Sequence, residues 1–483
     1  MMESKNSWEK LLCSNRRKKK GHEKPSTSPE HRTEIERDYD RILFSTPVRR
    51  LADKTQVFPL DKNDSVRTRL THSHEVSNLA RSIGTALVFQ SESETFQSVL
   101  HFQRNIPALL AAVGLVHDLG NPPFGHQGER AIQSWFSVNN KVLCDLETEQ
   151  QKQDFLRFEG NAQAFRLVTR LQLINDDYGL DLTYATLAAM MKYPTASSEL
   201  DENHVAKKKH GFFTSEKHVV EAVHQATGLG LGKRHALTYV MEACDDMAYV
   251  VLDAEDAVKK GLASFSDLMV FLKTKSKDDA LINEVVQQSE NKHNIHQMIP
   301  NLSPLELNDV SMQRFRVYAI GGMVNAVTKA FNINQDNLLQ GNLSNPLIKK
   351  SDAKELCAKL KEFSKLHAYS HSSVLGLELQ GFNVIQGLMD MIWAAIIDRS
   401  NSNELSSTRN HPFTKYVYQR ISENYRRIFE KPTAEDKNLP TRYRECLLLT
   451  DMISGMTDSF ALDLYNDLSS KKGNFETGLY LNK

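Results

Sequence analysis

The stretch Val113-Gly-Leu-Val-His-Asp-Leu-Gly-Asn-Pro-Pro-Phe-Gly-His-Gln-Gly-Glu129 decides which fold and which chemistry are expected of this chain. The apolar run Ile106 to Val116 predicts a buried helix. It delivers His117 and Asp118 at its end, and Gly120 and the two prolines then stop it. Burying an imidazole and a carboxylate is costly unless something compensates them. A metal compensates both, because both groups are ligands for Mn, Fe, Ni or Zn, and carboxylate also for Mg.

A second candidate ligand lies in the segment Arg67-Thr-Arg-Leu-Thr-His-Ser-His74. The apolar spacing that follows predicts an amphipathic helix, and His72 opens it. Arg69 lies three residues before His72. A single histidine in this position is usually structural, so the interpretation of His72 as a metal ligand depends on the other segments.

A third segment, residues 241–256, predicts an apolar helix that carries acids. Asp245, Tyr249 and Asp253 are spaced at i, i+4 and i+8, so they share one face of the helix. Such acids are often only solvated or ion-paired, but their neighbours on this face are apolar or aromatic, which favours a cavity. Asp246 is an alternative ligand, although the helical phase favours Asp245.

Composition limits the class of protein. The chain has 483 residues, of which 40% are hydrophobic and 25% charged, so it can bury a large core. Its formal charge is zero, so no global attraction to nucleic acid or membrane is implied. The longest apolar run is well short of the roughly 18 residues of a membrane span. The five cysteines are dispersed without a CxxC pair, which is typical of reduced thiols. We therefore expect a soluble, cytoplasmic protein.

The pattern along the chain predicts a mainly α fold. Apolar residues recur at three- and four-residue spacing from about residue 39, and runs of strict alternation are scarce. The polar N-terminus contains the basic run 16–20, and we expect it to be a mobile tail whose charges are solvated, with contact to a polyanion as the alternative. Residues 195–211, which include three lysines at 207–209, are expected to form a surface loop.

Several long motifs resemble one family. The order His, then His-Asp, then Asp resembles the HD superfamily of metal-dependent phosphohydrolases, and longer motifs resemble the bacterial deoxyguanosine triphosphate triphosphohydrolases within it. The resemblance runs from about residue 39 to 470. Besides the segments quoted above, it is carried by Arg49-Arg-Leu-Ala-Asp-Lys-Thr-Gln-Val-Phe-Pro-Leu60, Phe158-Glu-Gly-Asn-Ala-Gln163, Met241-Glu-Ala-Cys-Asp-Asp-Met-Ala-Tyr249, Leu377-Glu-Leu-Gln-Gly381 and Leu447-Leu-Leu-Thr-Asp-Met-Ile-Ser-Gly-Met-Thr-Asp458.

The resemblance implies an organisation in four parts. Residues 1–38 are expected to form the basic, flexible tail and residues 39–270 the helical HD-domain core. Residues 271–345 are expected to be a variable, charged connecting region. Residues 346–483 are expected to form an additional helical region that completes the nucleotide site and makes oligomer contacts.

The resemblance also assigns roles to residues. The implied metal ligands are His72, His117, Asp118 and Asp245, and the implied catalytic pair is His126 and Glu129. The implied nucleotide contacts are Gln56, Arg69, Asn161, Lys192, Tyr249, Asp253 and Glu378. His74 stands where the family usually has an apolar residue, so it is interpreted as structural. Arg420 and Arg426 do not align with the family's arginines and are left out of the site.

These roles agree with the chemistry of the side chains. His126 and Glu129 lie three residues apart at the start of a helix, so the carboxylate can orient the imidazole. Arg69 and Lys192 suit a triphosphate. Tyr249 can pack under a deoxyribose and leave no room for a 2′-hydroxyl, and Asp253 can accept a hydrogen bond from the 3′-hydroxyl.

The expected activity is Mg²⁺- or Mn²⁺-dependent hydrolysis of dGTP to deoxyguanosine and inorganic triphosphate, which would control dNTP pools, and hydrolysis of other dNTPs stays open. The nearest alternatives are another HD-type activity, such as a 5′-nucleotidase or a phosphodiesterase, and a non-catalytic protein that binds nucleotides or single-stranded DNA. The resemblance suggests a homo-oligomer, in the first instance a hexamer. Single-stranded DNA is a candidate regulator, and the basic tail and residues 207–209 are its candidate contacts.

Overall fold

The fold is helical, which confirms the mainly α prediction. The computed structural model describes residues 8–18, 31–58, 66–90, 96, 99–276, 278–369 and 372–481, and no β-strand occurs within these ranges. Residues 8–11 are helical, and the α-helices that follow in chain order are α1 Glu34–Leu43, α2 Thr46–Arg50, α3 Arg69–Gln90, α4 Phe102–Val116, α5 Gly125–Val138, α6 Glu149–Leu156, α7 Gly160–Arg166, α8 Tyr184–Met190, α9 Lys217–Thr227, α10 Ala236–Lys259, α11 Phe265–Lys275, α12 Ala280–Gln297, α13 Pro304–Ile333, α14 Gln335–Leu339, α15 Lys354–Ser364, α16 Ser372–Ile397, α17 Pro412–Arg420, α18 Glu423–Glu430, α19 Ala434–Lys437, α20 Thr441–Ser454 and α21 Asp458–Lys471. No helix of the described ranges combines the length and apolarity needed to cross a membrane.

Three packed helices, α3, α4 and α10, form the centre of the fold. The apolar run predicted to form a buried helix does so, and α4 ends at Val116, directly before His117. Gly114 allows α3 and α4 to approach closely, because a Cβ atom there would lie 2.7 Å from the Cα atom of Ser77. The apolar helix α10 is buried along almost its whole length. These contacts bring the three segments singled out in the sequence to one place.

The turn after α4 is held tightly against α7. A Cβ atom on Gly120 would lie 2.1 Å from backbone atoms of both Gly160 and Ala164, so only glycine fits there. The chain then passes Pro122 and Pro123 and enters α5 at Gly125. The predicted stop signals therefore act where expected, and α5 places His126 in its first turn.

The prediction of a mobile, solvated tail is wrong for residues 8–18. Trp8 is fully buried in the main core and rests against Phe96. Within the basic run, Arg16 forms ion pairs with Glu34 and with the buried Asp38, and Arg17 donates to the carbonyl oxygen of Thr169. Trp8, Leu11 and Leu12 have the spacing of a helix face, but this pattern spans a single turn in a polar segment, which is too short to distinguish an anchor from a solvated tail. Lys18 pairs with Asp176 at 3.3 Å on the surface, and the last two basic residues of the run, 19 and 20, lie outside the described ranges.

Residues 271–345 do not form a separate connecting region. Helices α12 and α13 pack against each other, and α13 packs along α10. Met312, Phe315 and Phe331 of α13 belong to the same hydrophobic core as α3, α4 and α10. The exposed faces of these helices are rich in Asn, Gln and charged residues, which explains why the sequence pattern was interpreted as a boundary. In the C-terminal part, α16 packs against α5 and also against α17, α20 and α21.

Candidate metal and nucleotide site

Three predicted metal ligands meet in one cluster. His72 comes from α3, His117 follows α4, and Asp245 lies on α10. One donor atom of each lies within 4.8 Å of the others. The Nε2 atom of His72 is 3.3 Å, and that of His117 3.5 Å, from Oδ1 of Asp245. The cluster contains Asp245 and not its neighbour Asp246, as the helical phase predicts.

The orientation of His117 suits a metal ligand. Its Nδ1 atom donates to the carbonyl oxygen of Gly114 at 2.7 Å, which leaves Nε2 directed toward the carboxylates. Nε2 is buried and has no hydrogen-bond partner among the described residues. Buried polar atoms are normally paired, so this atom indicates a ligand position.

The predicted fourth ligand, Asp118, lies at the edge of this cluster. Its Oδ1 atom is 3.6 Å from Nε2 of His117 and accepts a hydrogen bond from the amide of Asn121. Its Oδ2 atom accepts from Arg69 at 2.7 Å. Carboxylate oxygens have two lone pairs each, so Oδ1 can keep its amide contact and still face a cation. Two imidazoles and two carboxylates fit a divalent metal of the Mn²⁺ type, and the carboxylates also fit Mg²⁺.

The charges of the site favour a cation. Burial disfavours the imidazolium form of His117, but Asp118 and Asp245 outweigh burial and raise its pKa to about 9. Burial likewise opposes the charged form of Asp245, yet Lys192 and His117 hold its pKa well below the usual range. The two carboxylates beside His117 thus favour positive charge at this position, which is the charge that a divalent metal supplies.

The predicted proton-transfer pair is in contact. Nδ1 of His126 lies 3.1 Å from Oε2 of Glu129, and Oε1 of Glu129 accepts the backbone N–H of Gly160 at 2.9 Å. Glu129 is buried, whereas the His126 side chain is 76% exposed. Burial would raise the pKa of Glu129, but its bond to His126 and the charge of Lys209 lower it. Glu129 is thus an ionised group that fixes the ring of an accessible histidine.

A cavity of about 480 Å³ opens onto both groups. Of the predicted site residues, only Asp253 is missing from its lining. The others all line the cavity: Gln56, Arg69, His72, His117, Asp118, His126, Glu129, Asn161, Lys192, Asp245, Tyr249 and Glu378. Lys192 lies 3.3 Å from Oδ2 of Asp245, and Glu378 accepts from Gln127 at 3.0 Å. Gln56 has a buried amide oxygen without a hydrogen-bond partner among the described residues.

Asp253 does not line the cavity, contrary to the prediction of a direct sugar contact. Its carboxylate is 2% exposed and accepts a hydrogen bond from the hydroxyl of Tyr369. The Tyr369 ring stands nearly parallel to Tyr249, with ring centroids 6.2 Å apart. Tyr369 therefore covers Asp253, and the cavity presents a pair of tyrosines instead of a carboxylate.

Sequence reasoning missed several residues of the lining. Tyr369 and Lys361 come from the segment before α16, and no spacing in that segment points to a site. Lys209 was assigned to a surface loop, but its Nζ atom lies 2.7 Å from Glu159 inside the cavity. The loop 195–211 is exposed only around residues 198–203 and 208, and it is buried at both ends.

The residues left out of the site lie elsewhere. His74 is exposed and borders a larger cleft, of about 740 Å³, between α1, α3 and α4. Arg420 and Arg426 line two further small cavities near the C-terminal helices. None of these cavities contains a candidate metal ligand cluster among the described residues.

Comparison with known proteins identifies relatives of nearly equal length. The chain is 35% identical, over 475 residues, to a deoxyguanosinetriphosphate triphosphohydrolase-like protein of Listeria monocytogenes; the match covers 96% of this chain and 99% of the relative. It is 33% identical over 482 residues to a protein of the same description from Synechocystis, with 95% and 98% covered. It is 32% identical over 483 residues to the deoxyguanosinetriphosphate triphosphohydrolase of Yersinia enterocolitica, with 90% and 93% covered. No protein-family model matches the chain.

Proposed function

Because this chain belongs to the deoxyguanosinetriphosphate triphosphohydrolase family, we propose that it hydrolyses deoxynucleoside triphosphates, with a preference for dGTP, to the deoxynucleoside and inorganic triphosphate. The observation that supports this proposal best is one cavity in which metal donors, the His126–Glu129 pair and several cations meet. The proposed metal is Mg²⁺ or Mn²⁺. When bound, it would supply positive charge for the α-phosphate and acidify a water molecule.

The proposed role of His126 is proton transfer. Glu129 accepts the Nδ1 proton, so the Nε2 atom of the imidazole is the one free to act in the cavity. In its protonated form, His126 donates a proton to the 5′-oxygen as this oxygen leaves the α-phosphorus. The negative charge of Glu129 stabilises the imidazolium before the transfer and keeps the ring in place.

The proposed phosphate contacts are the cations of the cavity. Arg69 and Lys192 each pair with a carboxylate of the metal cluster, so both stand beside the place where an α-phosphate would bind. Lys209 and Lys361 add two further cations to the lining. A triphosphate carries enough negative charge to engage all of them, and their contacts stabilise charge that develops on the leaving triphosphate.

The proposed sugar and base contacts are Tyr249, Tyr369 and Glu378, which all line the cavity. The rings of Tyr249 and the neighbouring Tyr369 can pack against a deoxyribose. The 2′-hydroxyl of a ribose would clash with these rings. Tyr369, in place of Asp253, is the group that can meet the 3′-hydroxyl directly. Glu378 is a carboxylate in the lining, and guanine presents two N–H donors on one edge that a carboxylate can accept.

A turnover assay tests the proposal against its alternatives. Purified protein is incubated with each of the four dNTPs and with GTP, in Mg²⁺, Mn²⁺ or EDTA, and products are separated by chromatography. We expect metal-dependent release of deoxynucleoside, fastest from dGTP and slowest from GTP. Release of nucleoside mono- or diphosphate would instead indicate a different HD-type activity, and absence of turnover with every substrate would indicate a binding protein.

Two further parts of the proposal concern partners. We propose a cytoplasmic homo-oligomer, with a hexamer as the first expectation, which light scattering can test. Arg16, Arg17 and Lys209 are engaged within the chain. Of the two candidate DNA contacts, the basic run and residues 207–209, the cations that stay available are Lys18, Lys207, Lys208 and residues outside the described ranges. Salt-dependent DNA binding that survives a Lys207→Ala, Lys208→Ala double variant would exclude that loop.

A further inference from the structure

The turn of residues 119–125 connects the metal cluster to the proposed proton donor. It follows Asp118 and leads directly into His126. Phe124 has a φ of 60° and Gly125 a φ of 57°, so two successive residues adopt the left-handed conformation. For a residue with a side chain this conformation is unfavourable and persists only where surrounding contacts impose it. The contacts that hold this turn are therefore informative.

One of these contacts comes from Asp458, the first residue of α21. Its Oδ1 atom accepts the backbone N–H of Phe124 at 2.9 Å. Its Oδ2 atom accepts the backbone N–H of Thr55 at 3.0 Å and also the Thr55 hydroxyl. Asp458 is 2% exposed and does not line the cavity. This single carboxylate joins the left-handed residue of the turn to the segment that carries Gln56.

A second contact comes from Lys54. Its Nζ atom donates to the carbonyl oxygen of Asn121 at 2.6 Å and to that of Ser454 at 2.8 Å. Lys54 is 3% exposed, and no carboxylate lies within ion-pair distance of it among the described residues. Asn121 in turn donates its side-chain amide to Asp118. A buried amine is costly to leave without hydrogen bonds, so the two carbonyl oxygens stabilise Lys54 in this position.

We infer that Lys54 and Asp458 are positioning residues: they clamp the 119–125 turn so that Asp118 and His126 keep their relative placement. This inference rests on the proposed function, because only that function makes the relative placement of Asp118 and His126 matter for catalysis. Because Ser454 ends α20 and Asp458 begins α21, the clamp makes the C-terminal helices part of the catalytic unit. Neither residue lines the cavity, so Lys54 acts through the turn, and Asp458 acts through the turn and through its bonds to Thr55.

The variant Asp458→Asn tests the clamp with little change in shape. The new amide replaces one acceptor oxygen by a donor, so the bonds to Phe124 and Thr55 cannot all persist. The matched control is Asp398→Asn. Asp398 is also buried, accepts the backbone N–H of His411 at 3.0 Å and the hydroxyl of Thr414, and does not line the cavity. We expect both variants to lose thermal stability.

Turnover separates positioning from stability. For Asp458→Asn we expect kcat for dGTP, per folded molecule, to fall ~10-fold or more, as for groups that orient metal ligands. KM should stay within about threefold, because no substrate contact is removed. Asp398→Asn should keep the kcat of the wild type. Equal kcat values in the two variants would overturn the inference.

Hydrogen–deuterium exchange keeps the test independent of the substrate. Peptides covering residues 119–125 should exchange faster in Asp458→Asn than in the wild type, and at the wild-type rate in Asp398→Asn. If the wild type turns over no dNTP, the proposed function fails, while exchange still decides whether the clamp holds the turn. If Asp458→Asn does not fold, Lys54→Met gives the same readout at Asn121. Unchanged exchange in whichever of these variants folds would contradict the inference.

Discussion

The sharpest prediction concerns Glu129→Gln. In the wild type, one carboxylate oxygen accepts from Nδ1 of His126 and the other from the backbone N–H of Gly160. Glutamine has the same shape but only one acceptor oxygen. The buried N–H of Gly160 needs that oxygen, so the glutamine NH₂ group turns toward His126. Nδ1 must then accept instead of donate, and the neutral ring carries its proton on Nε2.

This change of tautomer sets the magnitude. The imidazolium form now meets an amide N–H at Nδ1 and loses the negative charge that stabilised it. General acid catalysis by a positioned side chain contributes about 10²- to 10⁴-fold to a rate. We therefore expect kcat to fall by this factor, which corresponds to about 3–5 kcal/mol in the activation free energy.

Single-turnover kinetics, with enzyme in saturating excess over dGTP and with saturating Mn²⁺, measures the chemical step directly. The control is Glu445→Gln, which removes a buried carboxylate that pairs with Arg399 and lies outside the cavity. We expect Glu445→Gln to change stability but not the chemical rate. A rate for Glu129→Gln within threefold of the wild type would refute the proposed proton transfer.

Three further predictions concern the buried His235, the proposed metal ligand Asp245 and the proposed sugar contact Tyr249. Burial lowers the pKa of His235 from 6.5 to about 4, although its bond to the Leu11 carbonyl opposes the shift. The unfolded chain binds this proton at higher pH than the folded one. The neutral, buried His235 therefore stabilises the fold fully above pH 6.5, and this stabilisation is lost as pH falls toward 4. The loss in the free energy of unfolding is on the order of 2 kcal/mol by pH 5. Urea unfolding of His235→Gln should therefore depend less on pH than that of the wild type. Asp245→Asn should weaken Mn²⁺ binding by at least ~10-fold in calorimetry. Tyr249→Ala should raise the GTP to dGTP ratio of kcat/KM, because the wall that excludes a 2′-hydroxyl is removed.

Local signals in the sequence predicted the parts of the site that depend on near neighbours. The apolar run fixed the end of α4, and His117 follows it directly. The three-residue spacing of His126 and Glu129 gave a contact at 3.1 Å. The helical phase separated Asp245 from Asp246. In each case the geometry of one helix turn is enough, so no information from distant segments is needed.

The failures share a different cause. Asp253 has the correct helical phase, but Tyr369, 116 residues later, covers it. Trp8, Leu11 and Leu12 form a helical pattern of only one turn, yet they anchor the N-terminal segment in the core. Lys54 and Asp458 act together only because the fold brings their segments to the same turn. Contacts between distant segments leave no spacing in the chain, so only the structure reveals them.

The central claim is that water attacks the α-phosphorus and that the 5′-oxygen leaves with the nucleoside. Hydrolysis of dGTP in H₂¹⁸O, followed by mass spectrometry of both products, tests it directly. We expect one ¹⁸O atom in inorganic triphosphate and none in deoxyguanosine. Label in deoxyguanosine, or release of pyrophosphate or orthophosphate in place of triphosphate, would contradict it.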